Sequence, residues 1–253
     1  MSADLRRLIV NADDLGRTSG INEGIFAAHQ KGLVTSATLM VIYPAAEEAA
    51  DSMDHYPDLG VGLHVQMSGG TPLLSPETVP SLVDDEGRFP AKLEGLIDIA
   101  PDQVRVEVEA QFERFLELTG HLPTHLDGHH HCLRHPLVGE ALIQVARQWQ
   151  LPIRRASSQV ADWLYQTGVP TTDVFVEDFY GTEARLDALL QMFEAMDPGT
   201  TEIMCHPGLS DDGLRNDSSY SDQREEELAI LSHPDVLRAV KTHDIHLTHF
   251  GEL

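Results

Sequence analysis

The sequence has little cysteine, few basic residues and no long hydrophobic run. It holds two cysteines, Cys132 and Cys205, so we expect no disulfide framework of the kind found in small secreted domains, and a reducing, cytoplasmic compartment fits. The apolar run at residues 8–10 ends at polar residues and is too short for a signal peptide or a membrane span. We therefore expect no membrane-spanning segment.

Basic residues are scarce: 17 Lys and Arg stand against 41 Asp and Glu, giving a formal net charge of -24. Such a charge repels nucleic acid phosphates and anionic membrane surfaces, so no nucleic acid partner is expected. A neutral small molecule is not excluded, because it responds mainly to local hydrogen bonds. The 42% hydrophobic and 23% charged composition is typical of a globular protein with a large core.

Short strand-like runs alternate with helical patterns along the whole chain, which indicates parallel strands joined by helices. Strands are predicted at residues 8–10, 37–42, 61–65, 124–128, 174–176, 202–205 and 245–248, and another begins at Ile153. Helices are predicted at residues 21–33, 44–53, 101–118, 135–149, 183–196 and 221–241. With no linker or internal repeat, we predict one α/β domain over residues 1–253.

Two segments lie outside this alternation. Residues 67–99 contain Gly69-Gly70 and four prolines, and a loop of that length is usually a lid or a binding loop. Together with the loop at residues 209–220, we expect it to carry substrate specificity.

Two adjacent carboxylates, Asp13 and Asp14, follow the first predicted strand. Working residues of parallel β/α folds lie at that end of the strands. A cation bound by one carboxylate would relieve their repulsion and leave the other free to accept a proton. The alternative is that one caps a turn and the other is solvated.

Single histidines end two further strands. His64 lies in the apolar run Gly62-Leu63-His64-Val65, and a lone histidine there is more often a hydrogen-bonded core residue than a ligand. His206 precedes a Pro-Gly turn, where a capping role is the alternative. Cys205 is disfavoured as a nucleophile, because strand alternation directs it away from the side of His206.

The densest signal is Thr124-His125-Leu126-Asp127-Gly128-His129-His130-His131. Strand alternation directs His125, Asp127 and His129 to one face, so several coordinating groups point together. Asp127 suits the carboxylate that usually orients a metal-bound imidazole. A solvated histidine loop with adventitious metal affinity is the alternative. Four such sites at four strand ends favour a barrel-type, metal-dependent active site.

In these motifs the chain resembles the YdjC-like carbohydrate deacetylase family, which includes chitooligosaccharide deacetylases and hopanoid-associated deacetylase-like proteins. The resemblance covers most of the chain and rests on Asn11-Ala12-Asp13-Asp14 with Gly16, Gly32-Leu33-Val34-Thr35-Ser36, Gly62-Leu63-His64, Pro123 to His131, and Met204-Cys205-His206-Pro207-Gly208. It implies a distorted (β/α) TIM-like barrel. Two departures, Gly128 where serine is frequent and Leu133 where histidine is frequent, affect the expected substrate more than the reaction.

The resemblance also implies the site residues. Asp14, His64 and His129 bind a divalent metal, with Asp13 as general base and His206 as general acid. His125, Asp127 and His131 are expected to support the ligands or contact substrate. Magnesium is implied by the resemblance, and zinc suits the imidazole ligands.

The expected reaction is removal of an N-acetyl group from an amino sugar or short chitooligosaccharide. Asp13 would take a proton from a metal-activated water, and His206 would protonate the departing amine. A sugar isomerase or epimerase on the same barrel is one alternative, although such enzymes commonly use more carboxylates and a lysine. A non-catalytic metal-binding protein is another, and a homo-oligomer is left open.

Overall fold

The expected alternation of strands and helices is present in the computed structural model, which describes residues 5–253, apart from the side chains of residues 93 and 217. The strands are β1 (Arg6–Leu15), β2 (Ser36–Leu39), β3 (Gly60–Val65), β4 (Leu126–Gly128), β5 (Val174–Val176), β6 (Gly199–Cys205) and β7 (Ile245–Leu247). The helices are α1 (Ser19–Lys31), α2 (Ala45–Met53), α3 (Pro101–Thr119), α4 (Pro136–Trp149), α5 (Ser158–Thr167), α6 (Leu186–Ala195), α7 (Asp212–Asp217), α8 (Asp222–Leu231) and α9 (Pro234–Thr242).

All seven described strands pair in parallel and form one curled sheet, a half-barrel. Six of them follow the order β4-β3-β2-β1-β6-β5, and β7 pairs with β1 outside this order. β6 pairs with residues 6–12 on one edge of β1. On the other edge, β7 pairs with residues 6–8 of β1 and β2 pairs with residues 11–15. Beyond β4, Leu126 forms an isolated parallel bridge with Ile153, whose N–H donates to the Pro170 carbonyl. This topology confirms an α/β fold with a parallel sheet.

The strands β1, β2 and β3 are buried over most or all of their length, as is typical of parallel strands covered by helices. Leu8, Ile9 and Val10 of β1 are fully buried, as the short β-branched run in the sequence predicts. The described residues share one continuous hydrophobic core. The prediction of one domain over residues 1–253 stays a prediction, since residues 1–4 lie outside the described range.

Three element predictions were wrong. The predicted helix at residues 221–241 is two helices, α8 and α9, because Pro234 cannot continue a helix but suits the first turn of a new one. The predicted strand at Ile153 is reduced to a single bridge. β1 continues through Leu15, so the paired aspartates lie within the strand and not in a loop after it.

Both cysteines are free and buried. The Cys205 thiol donates to the carbonyl of Asn11, and burial raises its pKa well above the ordinary value, so it lacks the thiolate character of a nucleophile. None of the helices in the described part of the chain has both the length and the apolar character needed to cross a bilayer.

Candidate active site

A β-bulge in β1 places two consecutive carboxylates in the same interior. Neighbouring strand residues normally point to opposite faces. Here the register with β2 shifts between Ala12 and Leu15, and Asp14 adopts a left-handed backbone with φ of 72°. A bulge re-aims side chains in this way. Asp13 and Asp14 are consequently both buried, at 3% and 1% exposure.

Asp14, His64 and His129 bring three donor atoms together. Oδ1 of Asp14 lies 3.0 Å from Nδ1 of His129 and 3.5 Å from Nε2 of His64. The three donor atoms all lie within 4.8 Å of one another. Ligands about 2.1 Å from a shared ion lie roughly 3.0–3.4 Å apart in octahedral or tetrahedral geometry. The sequence-predicted residues thus converge at a spacing that suits a divalent ion.

Asp127 fixes the orientation of the His64 ring. Its Oδ1 lies 2.7 Å from Nδ1 of His64, while the Thr38 hydroxyl donates to its Oδ2 at 3.2 Å. Nε2 of His64 therefore points toward Asp14. Burial lowers the pKa of His64, but Asp127, followed by Asp13 and Asp14, outweighs it and raises the pKa to about 9. The imidazole lies in an excess of negative charge that a cation would balance.

Arg154 holds Asp13 and two other carboxylates. Its guanidinium donates to both oxygens of Asp13 at 2.7 Å, with further contacts of 2.8 Å to Asp127 and Glu202. Arg154 is fully buried. Burial raises the pKa of Asp13, but Arg154 overcomes this and holds the pKa well below its usual range. Asp13 is thus a charged carboxylate at neutral pH.

Asp13 also belongs to a second convergent group with His64 and Asp127. In that group both carboxylates are already paired with Arg154. By contrast, Oδ1 of Asp14 accepts no well-directed hydrogen bond from the described residues. The group that contains Asp14 is therefore the better cation site.

Arg224 of α8 donates a hydrogen bond to Oδ2, the second carboxylate oxygen of Asp14. Its Nε donates to the Tyr220 carbonyl at 3.1 Å. Arg224 is 2% exposed, and Arg17 lies 3.7 Å from the same carboxylate oxygen. Both cations act on Oδ2, so Oδ1 is the oxygen left facing the histidines.

His206 follows β6 and lines the same cavity as Asp13 and Asp14. Its backbone N–H donates to the buried carboxylate of Glu227. Burial lowers the pKa of His206 to about 4, against the opposite effect of Asp13. The imidazole is therefore neutral at neutral pH, and its Nδ1 has no hydrogen-bond partner among the described residues.

The other histidines of the 124–131 segment, His125, His130 and His131, lie in different environments. His125 is fully buried, stacks on Phe250 with ring centroids 3.9 Å apart, and does not line the cavity. His131 lines it, with Nε2 3.1 Å from a Glu177 carboxylate oxygen. His130 stacks on His129 at 3.9 Å, a role that the sequence does not predict. His130 and His131 both have left-handed backbones, with φ of 50° and 54°.

Two motif glycines are explained by close approach. A Cβ at Gly62 would lie 2.4 Å from the His125 ring. A Cβ at Gly128 would lie 2.3 Å from Sγ of Cys132. The Cys132 thiol thus fills the space into which a serine at position 128 would project.

The cavity at this site has a volume of about 460 Å³, within the range of about 300–1,000 Å³ for small-molecule sites. Ser218 and Tyr220 of the 209–220 loop line it. No described residue from 67–99 lines it, although Ser68 lies 2.9 Å from Nδ1 of His130. A specificity role for either loop stays a prediction.

Sequence reasoning missed four residues that shape the site: Arg154, Tyr180, Arg224 and Glu227. Arg154 is the second residue of the strand predicted to begin at Ile153, and a charged residue within a strand was a usable signal. Arg224 and Glu227 lie in a charged helical segment, where nothing distinguishes them from their solvated neighbours.

The chain is similar to known proteins over almost its full length. The model of the family described as YdjC-like protein matches residues 7–242. A carbohydrate deacetylase of Geobacillus stearothermophilus is 42% identical over 248 residues, covering 98% of each chain. One from Vibrio cholerae serotype O1 (strain M66-2) is 36% identical over 249 residues, covering 98% of this chain and 96% of the relative.

Solved structures share the fold. A candidate cellobiose-phosphate cleavage protein from Enterococcus faecalis V583 has a TM-score of 0.93 at 32% identity, with 98% of each chain covered. A family 4 carbohydrate esterase from Streptomyces lividans, in complex with acetate, has a TM-score of 0.54 at 10% identity, covering 97% of this chain and 93% of the esterase. The second likeness shows the fold alone.

Proposed function

The chain belongs to the YdjC-like protein family, and we propose that it is a metal-dependent carbohydrate deacetylase that removes an acetyl group from the nitrogen of an amino sugar. Membership confirms the family predicted from the motifs. The single observation that carries the proposal is the convergence of Asp14, His64 and His129 beside Asp13 in a cavity of small-molecule size. The carbohydrate deacetylase names of the curated relatives support the substrate class.

The donor set fits a divalent cation. One carboxylate oxygen without a well-directed hydrogen bond and two imidazole nitrogens form a compact, buried group. We assign Asp14, His64 and His129 as the residues that would hold the ion. A bound divalent ion supplies Lewis-acid stabilisation of the negative charge that develops on an acetamide carbonyl oxygen. Magnesium and zinc both remain compatible with these donors.

Asp13 is proposed as the general base. It is ionised at neutral pH, and the Arg154 fork fixes its two oxygens in place. An anchored carboxylate that lines the cavity can accept a proton from the attacking water. The same fork weakens its basicity, so the role requires an attacking water that a bound cation would make more acidic.

His206 is proposed as the group that protonates the departing nitrogen. Because its pKa is lowered to about 4, it is neutral before the reaction and must receive a proton before it can donate one. The negative charge of Asp13 favours the protonated form. We propose that the proton that Asp13 takes from the attacking water passes to His206 and from His206 to the departing nitrogen, so that the two residues act as the acid–base pair of the site.

His125, Asp127 and His131 have separate proposed roles. Asp127 orients the ligand His64, and His131 contacts the substrate from the cavity wall. His125 supports the layer beneath through its stacking on Phe250.

We also propose that the expected barrel is completed by irregular segments. Backbone hydrogen bonds run from Leu126 to residues 152–154, from Ile153 to Pro170 and from Asp173 to Thr200 of β6. These contacts link the two ends of the half-barrel without regular strand pairing.

The test is acetate release from N-acetylglucosamine and N,N′-diacetylchitobiose, with chelator, with added Mg²⁺ and with added Zn²⁺. The proposal expects metal-dependent acetate release and its loss in Asp14→Asn. Interconversion of sugars without acetate would replace it with an isomerase. Metal binding without any sugar chemistry would leave a non-catalytic metal protein.

A further inference from the structure

Two tyrosines form a stacked aromatic wall beside His206. The rings of Tyr180 and Tyr220 have centroids 4.1 Å apart and are tilted by 9°. Both meet the His206 ring edge-on, at 5.3 Å and 5.8 Å. All three residues line the 460 Å³ cavity. The wall therefore stands next to the group proposed to protonate the departing nitrogen.

One face of the Tyr180 ring stacks on Tyr220, and among the described residues no other ring stacks on its second face. Tyr220 is 9% exposed, whereas Tyr180 is 45% exposed. Binding pockets commonly use aromatic side chains for contact with the ligand, so a Tyr180 ring with this exposure in a polar cavity is available for such a contact. The rest of the same loop supplies carboxylates, Glu177, Asp178 and Glu183, that also line the cavity and can accept hydrogen bonds from hydroxyls.

Hydrogen bonds hold the wall at both ends. The Tyr220 hydroxyl accepts from the Gly181 N–H at 2.8 Å and donates to Glu227. The second oxygen of Glu227 accepts from the His206 backbone N–H. The loop carrying Tyr180 is thereby tied to the backbone of His206 through Tyr220 and one buried carboxylate, and the Tyr180 ring contacts the His206 imidazole edge-on.

We propose that the second face of Tyr180 is the platform on which a pyranose ring of the substrate stacks. This inference rests on the proposed function and names the contact that selects a sugar ring. The apolar C–H face of a pyranose matches an aromatic face, and its hydroxyl edge meets the surrounding carboxylates. Tyr180 is a binding residue in this account, and Tyr220 with Glu227 are positioning residues.

Kinetics of acetate release from N,N′-diacetylchitobiose test the platform in the metal-supplied enzyme. Tyr180→Leu removes the ring, and we expect KM to rise about five- to tenfold with kcat within about twofold, the size of one lost aromatic contact. Tyr180→Phe keeps the ring and is expected to keep KM within about twofold. Tyr165→Leu is the matched control, because Tyr165 is 89% exposed on α5 and outside the cavity.

A binding measurement separates this inference from the proposed function. Cellobiose carries pyranose rings but no acetamide, so saturation-transfer NMR reports its binding without turnover. We expect transfer from the wild-type enzyme and from Tyr165→Leu, and little from Tyr180→Leu. If the wild-type protein binds cellobiose through Tyr180 but releases no acetate from acetylated sugars, the deacetylase function is refuted and the Tyr180 platform is retained.

Two results would overturn the platform. One is an unchanged KM in Tyr180→Leu together with unchanged saturation transfer. The other is a fall in kcat at constant KM, which would mean that the ring serves His206 and does not contact the sugar.

Discussion

Replacing Arg154 by methionine should destabilise the fold strongly at neutral pH. Arg154 is fully buried and contacts three carboxylates, those of Asp13, Asp127 and Glu202, at 2.7–2.8 Å. Methionine fills similar apolar volume but leaves these charges uncompensated. Removing one partner of a buried ion pair costs about 3–5 kcal/mol. A domain of ordinary stability, about 5–15 kcal/mol, would still fold.

The cost should depend on pH with a definite sign. The pKa of Asp13 is depressed in the folded state, so its pairing contributes stability above the unfolded pKa of about 4 and loses it as pH falls through the folded value. Glu202, whose pKa burial raises to about 7 despite Arg154, protonates first. In Arg154→Met, burial is no longer opposed by the guanidinium, so the unpaired carboxylates should take up protons between pH 7 and pH 4, whereas Asp13 of the wild type stays ionised over that range. Because protonation relieves the uncompensated charge, the difference in stability between wild type and Arg154→Met should be largest near pH 7 and shrink toward pH 4.

Urea unfolding at pH 7 and pH 4, in the presence of chelator, measures this difference. Arg155→Met is the matched control, because the neighbouring Arg155 is only partly buried and its loss is expected to cost under about 1 kcal/mol. Arg154→Lys keeps the charge but not the bidentate fork, and we expect an intermediate cost. A cost below about 1 kcal/mol for Arg154→Met, or one equal at both pH values, would refute the electrostatic account.

Three further predictions follow from the site. Asp13→Asn should lower acetate release by about 10²–10⁴-fold while divalent metal still binds, measured by kinetics and calorimetry; near-normal turnover would remove Asp13 from the base role. His206→Gln should cause a similar loss of kcat with metal affinity unchanged, and a selective loss of metal binding instead would make it a ligand. Because His64 has a pKa of about 9 without metal, metal binding should release a proton, and metal affinity should increase as pH rises from 7 toward 9. Calorimetry in two buffers of different ionisation enthalpy measures the proton release; equal binding enthalpies in the two buffers would contradict the prediction.

The sequence predicts the positions of strands, helices and motif residues better than the contacts between distant segments. Apolar runs and helical periods suffice to place β3, β5 and α3 almost to the residue. For β3 the reason is burial of the whole strand, which leaves a continuous apolar signal. The convergence of the motifs that contain Asp14, His64 and His129 is foreseeable, because parallel strands bring their carboxyl ends to one edge. The choice of these three residues as ligands follows from the family resemblance.

What the sequence does not reveal depends on contacts between distant segments. The β-bulge that turns Asp13 and Asp14 to the same side depends on the register of β1 with β2. Arg224 meets Asp14 across 210 positions of sequence, and no local pattern encodes that pairing. The break between α8 and α9 was predictable, since Pro234 was visible within the predicted helix.

The central claim is tested most directly by an anomalous-scattering crystal structure of the protein supplied with Zn²⁺. The account predicts one peak within about 2.0–2.2 Å of Oδ1 of Asp14, Nε2 of His64 and Nδ1 of His129. A metal-activated enzyme whose only zinc peak lies away from these three atoms would contradict it.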